Sequence, residues 1–446
     1  MIRKSALIFT MLVCIGCSQQ GVPLRPTVPS VPTVATAVAP SATGATSSEA
    51  SAEAPKLRGD LPNAPTSAPR PSTFTTCNGV GDARCYERIS RALMLDMVPF
   101  VNAENSNLVI SPYGIATATT MLYLGTSGST KAEIEHVTHL DSMPKPRLLK
   151  AAKQAAQAWQ RSRRLVELGI EQEIITASDA NLRQSWLDSI QGTWSAKRSS
   201  GLTPPDQVAI VSRVNFKGKW VTAFDHSWTR DAEFFGKGGT KSTVRMMRQE
   251  HSFPYLALPE LKVTLLAIPY RGGELELVVV LPTEVDGLWE LEHKLTPDVL
   301  DRFDPKVSAE VDLYLPRFQL NSDVDLVAPL AALGATRVSQ LGAEFDELFM
   351  ASGDMRKVPA GRQVAFMEVT EEGTVATAVT RYIVADFADG HASEKPIRFE
   401  VNHPFLVLIR HKRNKSILFL GRVVEPNYTP SERDAKPPDG TAPGRQ

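Results

Sequence analysis

The segment that follows Glu371 has the residue types of an extended strand that could join a sheet. From Thr374 onward the residues are mostly small or apolar, and Arg381 is the only charged residue before Asp386. No proline interrupts residues 371–386, so every backbone N–H could join a ladder of hydrogen bonds. Alternation puts Thr374, Ala376, Ala378, Thr380, Tyr382 and Val384 on one face, and Val375, Thr377, Val379, Arg381, Ile383 and Ala385 on the other. On composition alone, an ordinary β-strand or an exposed loop fits equally well.

Residues spaced for catalysis or metal binding are scarce. His136 and His139 are three apart on a predicted helix, but no third ligand lies near them in the sequence. The chain has no Gly-x-Ser-x-Gly elbow, P-loop or dinucleotide-binding fingerprint. The sequence therefore predicts neither an enzyme nor a cofactor or metal site.

A basic run lies between Ser142 and Val166 and contains no acidic residue. The whole chain has 49 basic and 49 acidic residues, so its total charge predicts no binding to nucleic acid. Within the run, a polyanion site and a solvated helix face are alternative interpretations. The cations that could share one helical face are Lys150, Lys153, Arg161 and Arg164.

The first seventeen residues have the layout of an export signal. Arg3 and Lys4 precede an apolar run, residues 6–16, that is too short to span a bilayer as a mature helix. The run ends in Cys14-Ile-Gly-Cys17, which resembles a bacterial lipobox with Cys17 as the acylated residue, although Leu is usual where Cys14 stands. We expect an outer-membrane or cell-surface lipoprotein tethered to the membrane through Cys17. A secreted or periplasmic protein, or a retained anchor, is the alternative.

Two further cysteines, Cys77 and Cys85, lie at the start of the predicted folded part. Because export implies an oxidising compartment, we expect them to form a disulfide. The enclosed loop is small, so the stabilisation should be near the lower end of about 2–4 kcal/mol. Free thiols or a mixed disulfide are the alternatives.

Composition divides the chain into four parts. After the signal, residues 18–76 are rich in Pro, Ala, Thr, Ser and Val and predict a disordered tether. Residues 77–428 predict a folded domain, and residues 429–446 a disordered tail. Within the domain, helical patterns cover residues 86–100, 111–124, 131–140, 147–164 and 181–194. Strand patterns cover 208–216, 262–270, 275–281, 310–318, 364–370, 405–411 and 416–424. Helices first and strands later predict an α+β domain.

Several segments, in order, resemble the serpin family of serine protease inhibitors. They are Asn107-Leu-Val-Ile-Ser-Pro-Tyr-Gly-Ile115, Asn215-Phe-Lys-Gly-Lys-Trp220, Ala365-Phe-Met-Glu-Val-Thr-Glu-Glu-Gly-Thr374, Asn402-His-Pro-Phe-Leu406 and Phe419-Leu-Gly-Arg-Val-Val-Glu-Pro426. The resemblance implies helices packed on a large central mixed sheet, two further sheets and an exposed reactive loop. With the export signal, the chain is identified as an exported bacterial member.

The resemblance implies a suicide-substrate inhibitor. A serine protease cleaves the loop and forms an acyl-enzyme, and the loop then inserts into the main sheet before hydrolysis finishes. The family's spacing places the cleaved bond between Phe387 and Ala388, which suits a chymotrypsin-like protease; cysteine proteases are a second target class, and a monomer is expected. The hinge is Glu371, Glu372, Gly373, Thr374, Val375, Ala376, Thr377 and Ala378. A non-inhibitory binding protein, for a ligand or a polyanion, is the alternative.

Two departures from the family weaken the inhibitory prediction. Two serines, an Asn and a His form a polar cluster under the main sheet in the family, and the corresponding residues here are Ser111, Gly114, Ser212 and Gln363. Trp220 is most simply a core residue, and the resemblance implies that it lies where the loop begins to insert. The stretch from Gly125 to Trp220 is also shorter than usual, so we expect the fifth helix of the family and an edge strand to be lost.

Overall fold

The computed structural model describes residues 81–101, 106–140, 143–162, 166–199, 207–350, 357–374 and 395–428. All of them belong to one unit of the chain, residues 61–446. The predicted signal, tether and tail lie outside the described residues. So do Cys17, Cys77, Arg164, residues 375–378 and the bond between Phe387 and Ala388, and the predictions made for them stay predictions.

The described helices lie mostly in the first half of the chain, as the sequence predicts. The first two helices, α1 and α2, pack their apolar side chains into the core, and α2 is buried at all of its positions. Ser111 caps α2 by accepting a hydrogen bond from the Gly114 amide, and Pro112 starts the helix. The helices are α1 (Asp82–Val101), α2 (Pro112–Gly125), α3 (Gly128–Thr138), α4 (Lys145–Ser162), α5 (Gln184–Ile190), α6 (Gly287–Lys294), α7 (Pro297–Arg302) and α8 (Val327–Leu333).

The main sheet is mixed and has six strands. Its spatial order is β10, β11, β12, β4, β2, β3. Strands β11 and β4 are parallel, as are β2 and β3, whereas β10 with β11 and β2 with β4 are antiparallel. The strands are β2 (Glu167–Ala177), β3 (Ser195–Ser199), β4 (Gln207–Lys219), β10 (Phe318–Asp325), β11 (Lys357–Val369) and β12 (Gly373–Thr374).

The remaining described strands form one continuous nine-stranded sheet rather than the two further sheets that we expected. The reason is the length of β6, which pairs in turn with β5, β9 and β7 and so joins the two halves. The strands are β1 (Leu108–Ile110), β5 (Arg230–Phe235), β6 (Lys241–Leu258), β7 (Val263–Pro269), β8 (Leu275–Pro282), β9 (Val307–Pro316), β13 (Ile397–Glu400), β14 (Phe405–His411) and β15 (Ile417–Val423).

The predicted loss of a helix and an edge strand is wrong. Helix α5 is present, although shorter than the predicted 181–194, and β3 forms the edge of the main sheet beside β2. The predicted strand 310–318 is also divided, because the chain turns at Arg317 between β9 and β10.

The core lies between the two sheets and around α2. This helix contacts β2 and β4 of the main sheet and β15 of the nine-stranded sheet. The sheets and helices otherwise agree with the predicted α+β class. Within the described ranges, no helix is both long enough and apolar enough to cross a membrane.

Candidate functional site

The hinge enters the main sheet at the end of the seam between β4 and β11. These strands pair directly from Ala209 opposite Ala360 to Asn215 opposite Phe366. Beyond that point β12 lies between them, with Thr374 opposite Val369 on one side and opposite Gly218 on the other. The seam is therefore already open at one end and contains the first two residues of an inserted strand.

Thr374 anchors this short strand from below. Its side chain is fully buried and its hydroxyl lies 2.6 Å from the Tyr270 hydroxyl. The Tyr270 ring stacks on Trp220, with centroids 4.6 Å apart, and meets Phe216 edge-on at 4.8 Å. Burial raises the pKa of Tyr270 far above its ordinary value, so its hydroxyl keeps its proton. Residue 374 therefore occupies a shaped pocket that accepts a small hydroxyl side chain.

Gly373 is required by its backbone. Its φ of 153° is one that residues with a side chain rarely adopt, and a Cβ there would lie 2.0 Å from the Gly218 carbonyl oxygen. Only glycine lets the hinge pass this close to β4.

Glu371 ties the hinge to the body of the domain. Its side chain is 1% exposed, and its Oε1 accepts hydrogen bonds from Arg317 Nη2 at 2.7 Å and Nε at 2.9 Å and from Thr229 Oγ1 at 2.6 Å. Its backbone carbonyl accepts from the Phe224 amide at 2.9 Å. A charged hinge residue is thus buried only because a guanidinium and a hydroxyl are directed at it.

Glu372 makes a second set of contacts on the solvent side. Its Oε1 lies 2.5 Å from Nε2 of His226, a residue of the 3-10 turn His226–Trp228 that follows β4. Its Oε2 accepts from Thr370 Oγ1 at 3.1 Å, and its backbone carbonyl accepts from the Trp220 amide at 3.0 Å. The indole of Trp220 in turn donates to the Thr370 carbonyl at 3.0 Å. Trp220 therefore lies where the hinge enters the main sheet.

The polar cluster under the sheet is rebuilt rather than lost. The Gln363 amide accepts from the Ser111 N–H at 2.8 Å and donates to the Ser111 carbonyl at 3.0 Å. It reaches Ser212 Oγ at 3.4 Å, and Gln172 donates to the same hydroxyl at 3.0 Å. A Cβ at Gly114 would lie 2.6 Å from Gln363 Nε2 and 2.7 Å from Ser212 Oγ. Glycine at 114 thus provides the room that the longer amide at 363 occupies.

Ion pairs on the outer face join β4 to β2 on one side of the seam and β11 to β10 on the other. Glu173 of β2, 5% exposed, pairs with Lys197 of β3 and with Arg213 of β4. On the other side, Arg362 of β11 pairs with Asp323 of β10. These pairs hold β4 to β2 and β11 to β10, and the ladder between β4 and β11 is the part that they do not reinforce.

Other predicted residues lie away from the hinge. Lys150 and Arg161 are exposed and Lys153 is half-buried on α4. Cys85 is buried in α1 and is disulfide-bonded. His139 Nε2 lies 2.9 Å from Asp96 Oδ2, and among the described residues His136 and His139 belong to no group of three potential metal ligands.

Sequence reasoning missed the partners of the hinge. Tyr270 follows β7, and Arg317 separates β9 from β10. His226 begins a short 3-10 turn, and Thr229 follows it. Tyr270 is 104 residues from Thr374, and Arg317 is 54 from Glu371. No local pattern signals pairs so distant in the chain.

In this mixed sheet, the short strand β12 lies between the parallel strands β4 and β11. This is the arrangement of a serpin. The sequence agrees, because the family described as Serpin (serine protease inhibitor) matches residues 89–200 and 195–426. The chain belongs to the serpin family.

One known relative is similar in sequence over most of its length, and two solved structures are similar in fold. The leukocyte elastase inhibitor of Sus scrofa is 30% identical over 383 residues, covering 74% of this chain and 97% of that protein. Among solved structures, human thyroxine-binding globulin complexed with thyroxine has a TM-score of 0.68 at 21% identity, covering 78% of this chain and 100% of that one. Native protease nexin-1 with heparin has a TM-score of 0.65 at 22% identity, covering 77% and 100%.

The two matched ranges overlap at residues 195–200, which include β3.

Proposed function

We propose that the chain is a suicide-substrate inhibitor of a serine protease of the chymotrypsin type. The protease serine attacks the carbonyl of Phe387, the peptide beginning at Ala388 leaves, and an acyl-enzyme remains on the loop. The loop then enters the main sheet as a strand between β4 and β11, carrying the protease with it before water completes hydrolysis.

The observation that carries this proposal is the position of β12. Gly373 and Thr374 already pair with both β4 and β11, so insertion extends an existing strand and does not have to begin a new one. The residues beyond Thr374 supply a proline-free run of mainly small side chains for the same path. Leukocyte elastase inhibitors among the relatives support inhibition as the general activity.

The test mixes the full chain with chymotrypsin and separates the products on a denaturing gel, with mass spectrometry of the released peptide. We expect a covalent complex that survives denaturation and a peptide that begins at Ala388. Clean cleavage without a complex would contradict the inhibitory mechanism. A peptide with another first residue would contradict the assigned bond, and Phe387→Arg should shift preference towards trypsin-like proteases.

Two neighbouring substitutions separate insertion from cleavage. Thr374→Arg puts a charge into the buried pocket under β12, so we expect loop cleavage to continue while complex formation is lost. Val375→Arg is the matched control, because alternation directs residue 375 to the outer face. Equal complex formation by both variants, or equal loss in both, would contradict insertion through this seam.

A second candidate function is a non-inhibitory binding protein for a polyanion. It is favoured by the exposed cations Lys150 and Arg161 on α4, and by the shallow groove that Lys150 and Lys153 line with Leu149. One related fold has been solved with heparin. Thermal unfolding distinguishes the two functions: loop cleavage should raise the melting temperature strongly if the loop inserts, and change it little in a binding protein.

We also propose that the chain is exported by a bacterium and tethered by a lipid on Cys17, on the support of the charged and apolar residues before it. A disulfide between Cys77 and Cys85 belongs to the same proposal, supported by the disulfide-bonded state of Cys85. Mass spectrometry of the mature N-terminal peptide and non-reducing peptide mapping test the two parts.

A further inference from the structure

We propose that the hinge holds a divalent metal site for an ion of the Zn²⁺ class, formed by His226, Glu371 and Glu372. One potential ligand atom from each of these residues lies within 4.8 Å of the others. The His226 ring is exposed, Glu372 is half-buried and Glu371 is buried. The site is therefore accessible from solvent on one side and fixed by the protein on the other.

The carboxylate of Glu371 provides an independent reason for a cation. All three of its donors, two from Arg317 and one from Thr229, are directed at Oε1. Oε2 is buried and has no hydrogen-bond partner among the residues that the structure describes. An arginine paired with a carboxylate commonly engages both oxygens, and a buried oxygen without a donor costs free energy. A metal ion at Oε2 would satisfy that oxygen.

The His226 ring lies between the two carboxylates. Its Nε2 lies 2.5 Å from Oε1 of Glu372, and its Nδ1 lies 3.7 Å from Oε1 of Glu371 and 3.4 Å from Nη2 of Arg317. Rotation of the two less buried side chains, His226 and Glu372, would open a position for an ion between them. The remaining oxygen of Glu372 accepts from Thr370 Oγ1 at 3.1 Å, and Arg317 and Thr229 support Glu371. Outer hydrogen bonds of this kind orient ligating carboxylates in metal sites.

The donor set indicates the class of ion. One imidazole nitrogen and two carboxylate oxygens, with water in a fourth position, suit Zn²⁺. The two carboxylates outnumber the single positive charge of Arg317, so the site retains a net negative charge for a cation. Calcium and magnesium prefer oxygen-only sites.

A bound ion would join the turn after β4 to the residues that enter the sheet. It would hold Glu371 and Glu372 in place and slow any further movement of the hinge. This consequence rests on the proposed inhibitory function, whereas metal binding itself does not.

The test is calorimetric titration of the full chain with zinc chloride. We expect one high-affinity zinc ion per chain. His226→Gln and Glu372→Gln each remove a ligand from a partly exposed position, and should weaken binding by more than about 100-fold, while Thr370→Val should weaken it about 10-fold. His136→Gln, at an exposed histidine of α3, is the matched control and should bind as the parent does.

No binding of zinc, or binding retained in both ligand variants, would overturn the site. Loss of binding in His136→Gln alone would assign the ion to α3 and overturn it equally.

The rate of complex formation with chymotrypsin is then measured with and without zinc. A slower rate with zinc supports control of the hinge, and an equal rate overturns it. A chain that forms no complex but binds one zinc ion, lost in His226→Gln and Glu372→Gln, would contradict the proposed function and still support the metal site.

Discussion

The hydrogen bond between Tyr270 and Thr374 should hold the hinge in the sheet, and Tyr270→Phe removes it with little change in shape. The phenylalanine ring keeps the stacking with Trp220 and the edge contact with Phe216. The Thr374 hydroxyl, fully buried, then loses its partner. An unpaired buried hydroxyl costs about 1–3 kcal/mol, and we expect that cost to fall on the state in which β12 is inserted.

Thr374→Val completes the comparison. Valine keeps the branched shape but leaves the Tyr270 hydroxyl unpaired, so this single variant should cost a similar amount. When both hydroxyls are removed, no unpaired group remains and most of the cost should disappear. The coupling energy of the double-mutant cycle should therefore be about 1–3 kcal/mol, with the double variant less destabilised than the sum of the singles.

Hydrogen exchange measures this directly. The amides of Trp220 and Phe224 donate to hinge carbonyls at 3.0 and 2.9 Å, so they exchange when the hinge leaves the sheet. In each single variant their exchange should be about 5- to 150-fold faster, which corresponds to about 1–3 kcal/mol. Amides of β8 serve as the internal control. Unchanged exchange at Trp220 and Phe224, or single effects that simply add in the double variant, would refute the reasoning.

Two further predictions concern α1 and the hinge glycine. Burial raises the pKa of Glu87 to about 7 from an ordinary value of 4.5, although Arg91 favours its charged form. Between these pH values the folded chain binds a proton at Glu87 that the unfolded chain has lost, so the contribution of Glu87 to stability is greatest below pH 4.5 and is lost as pH rises through 7, by roughly 3 kcal/mol. Glu87→Gln should remove this fall in urea titrations at pH 5 and pH 8; identical pH dependence in parent and variant would show the assignment to be wrong. Gly373→Ala should displace β12, because its Cβ would lie 2.0 Å from the Gly218 carbonyl oxygen, and exchange at the Trp220 amide should rise while β8 stays protected. A protected Trp220 amide in that variant would contradict the close approach.

Local patterns allowed much of the fold to be predicted. Helix α1 follows apolar periodicity, α2 to α4 are helical in composition, and the hinge from Glu371 to Thr374 is recognisable from its resemblance to the family. Strand β2 was missed because its charged residues obscure the alternation. Glu171 and Glu173 are stabilised by Arg213 on the next strand, a partner that no local window contains.

The site was predicted only in part, for a related reason. The structure brings the four residues of the polar cluster together, whereas the sequence alone shows only that their types differ from the family's set. In the structure Gly114 and Gln363 compensate each other, because the volume given up by one is filled by the amide of the other. Such compensation depends on contact between α2 and β11, and this contact becomes evident only in the folded chain.

The arrangement of these polar groups determines where the sheet can part. Separating β4 from β11 breaks their backbone ladder and the long 3.4 Å contact between Gln363 and Ser212. It leaves the two bonds from Gln363 to the Ser111 backbone intact, and also the bond from Gln172 to Ser212. Parting β4 from β2 would instead break the ion pairs of Arg213 with Glu173 as well as a ladder. A strand that inserts at the β4–β11 seam forms a backbone ladder on each side. Under the proposed mechanism, the boundary that ion pairs reinforce least is therefore also the one where insertion adds the most hydrogen bonds.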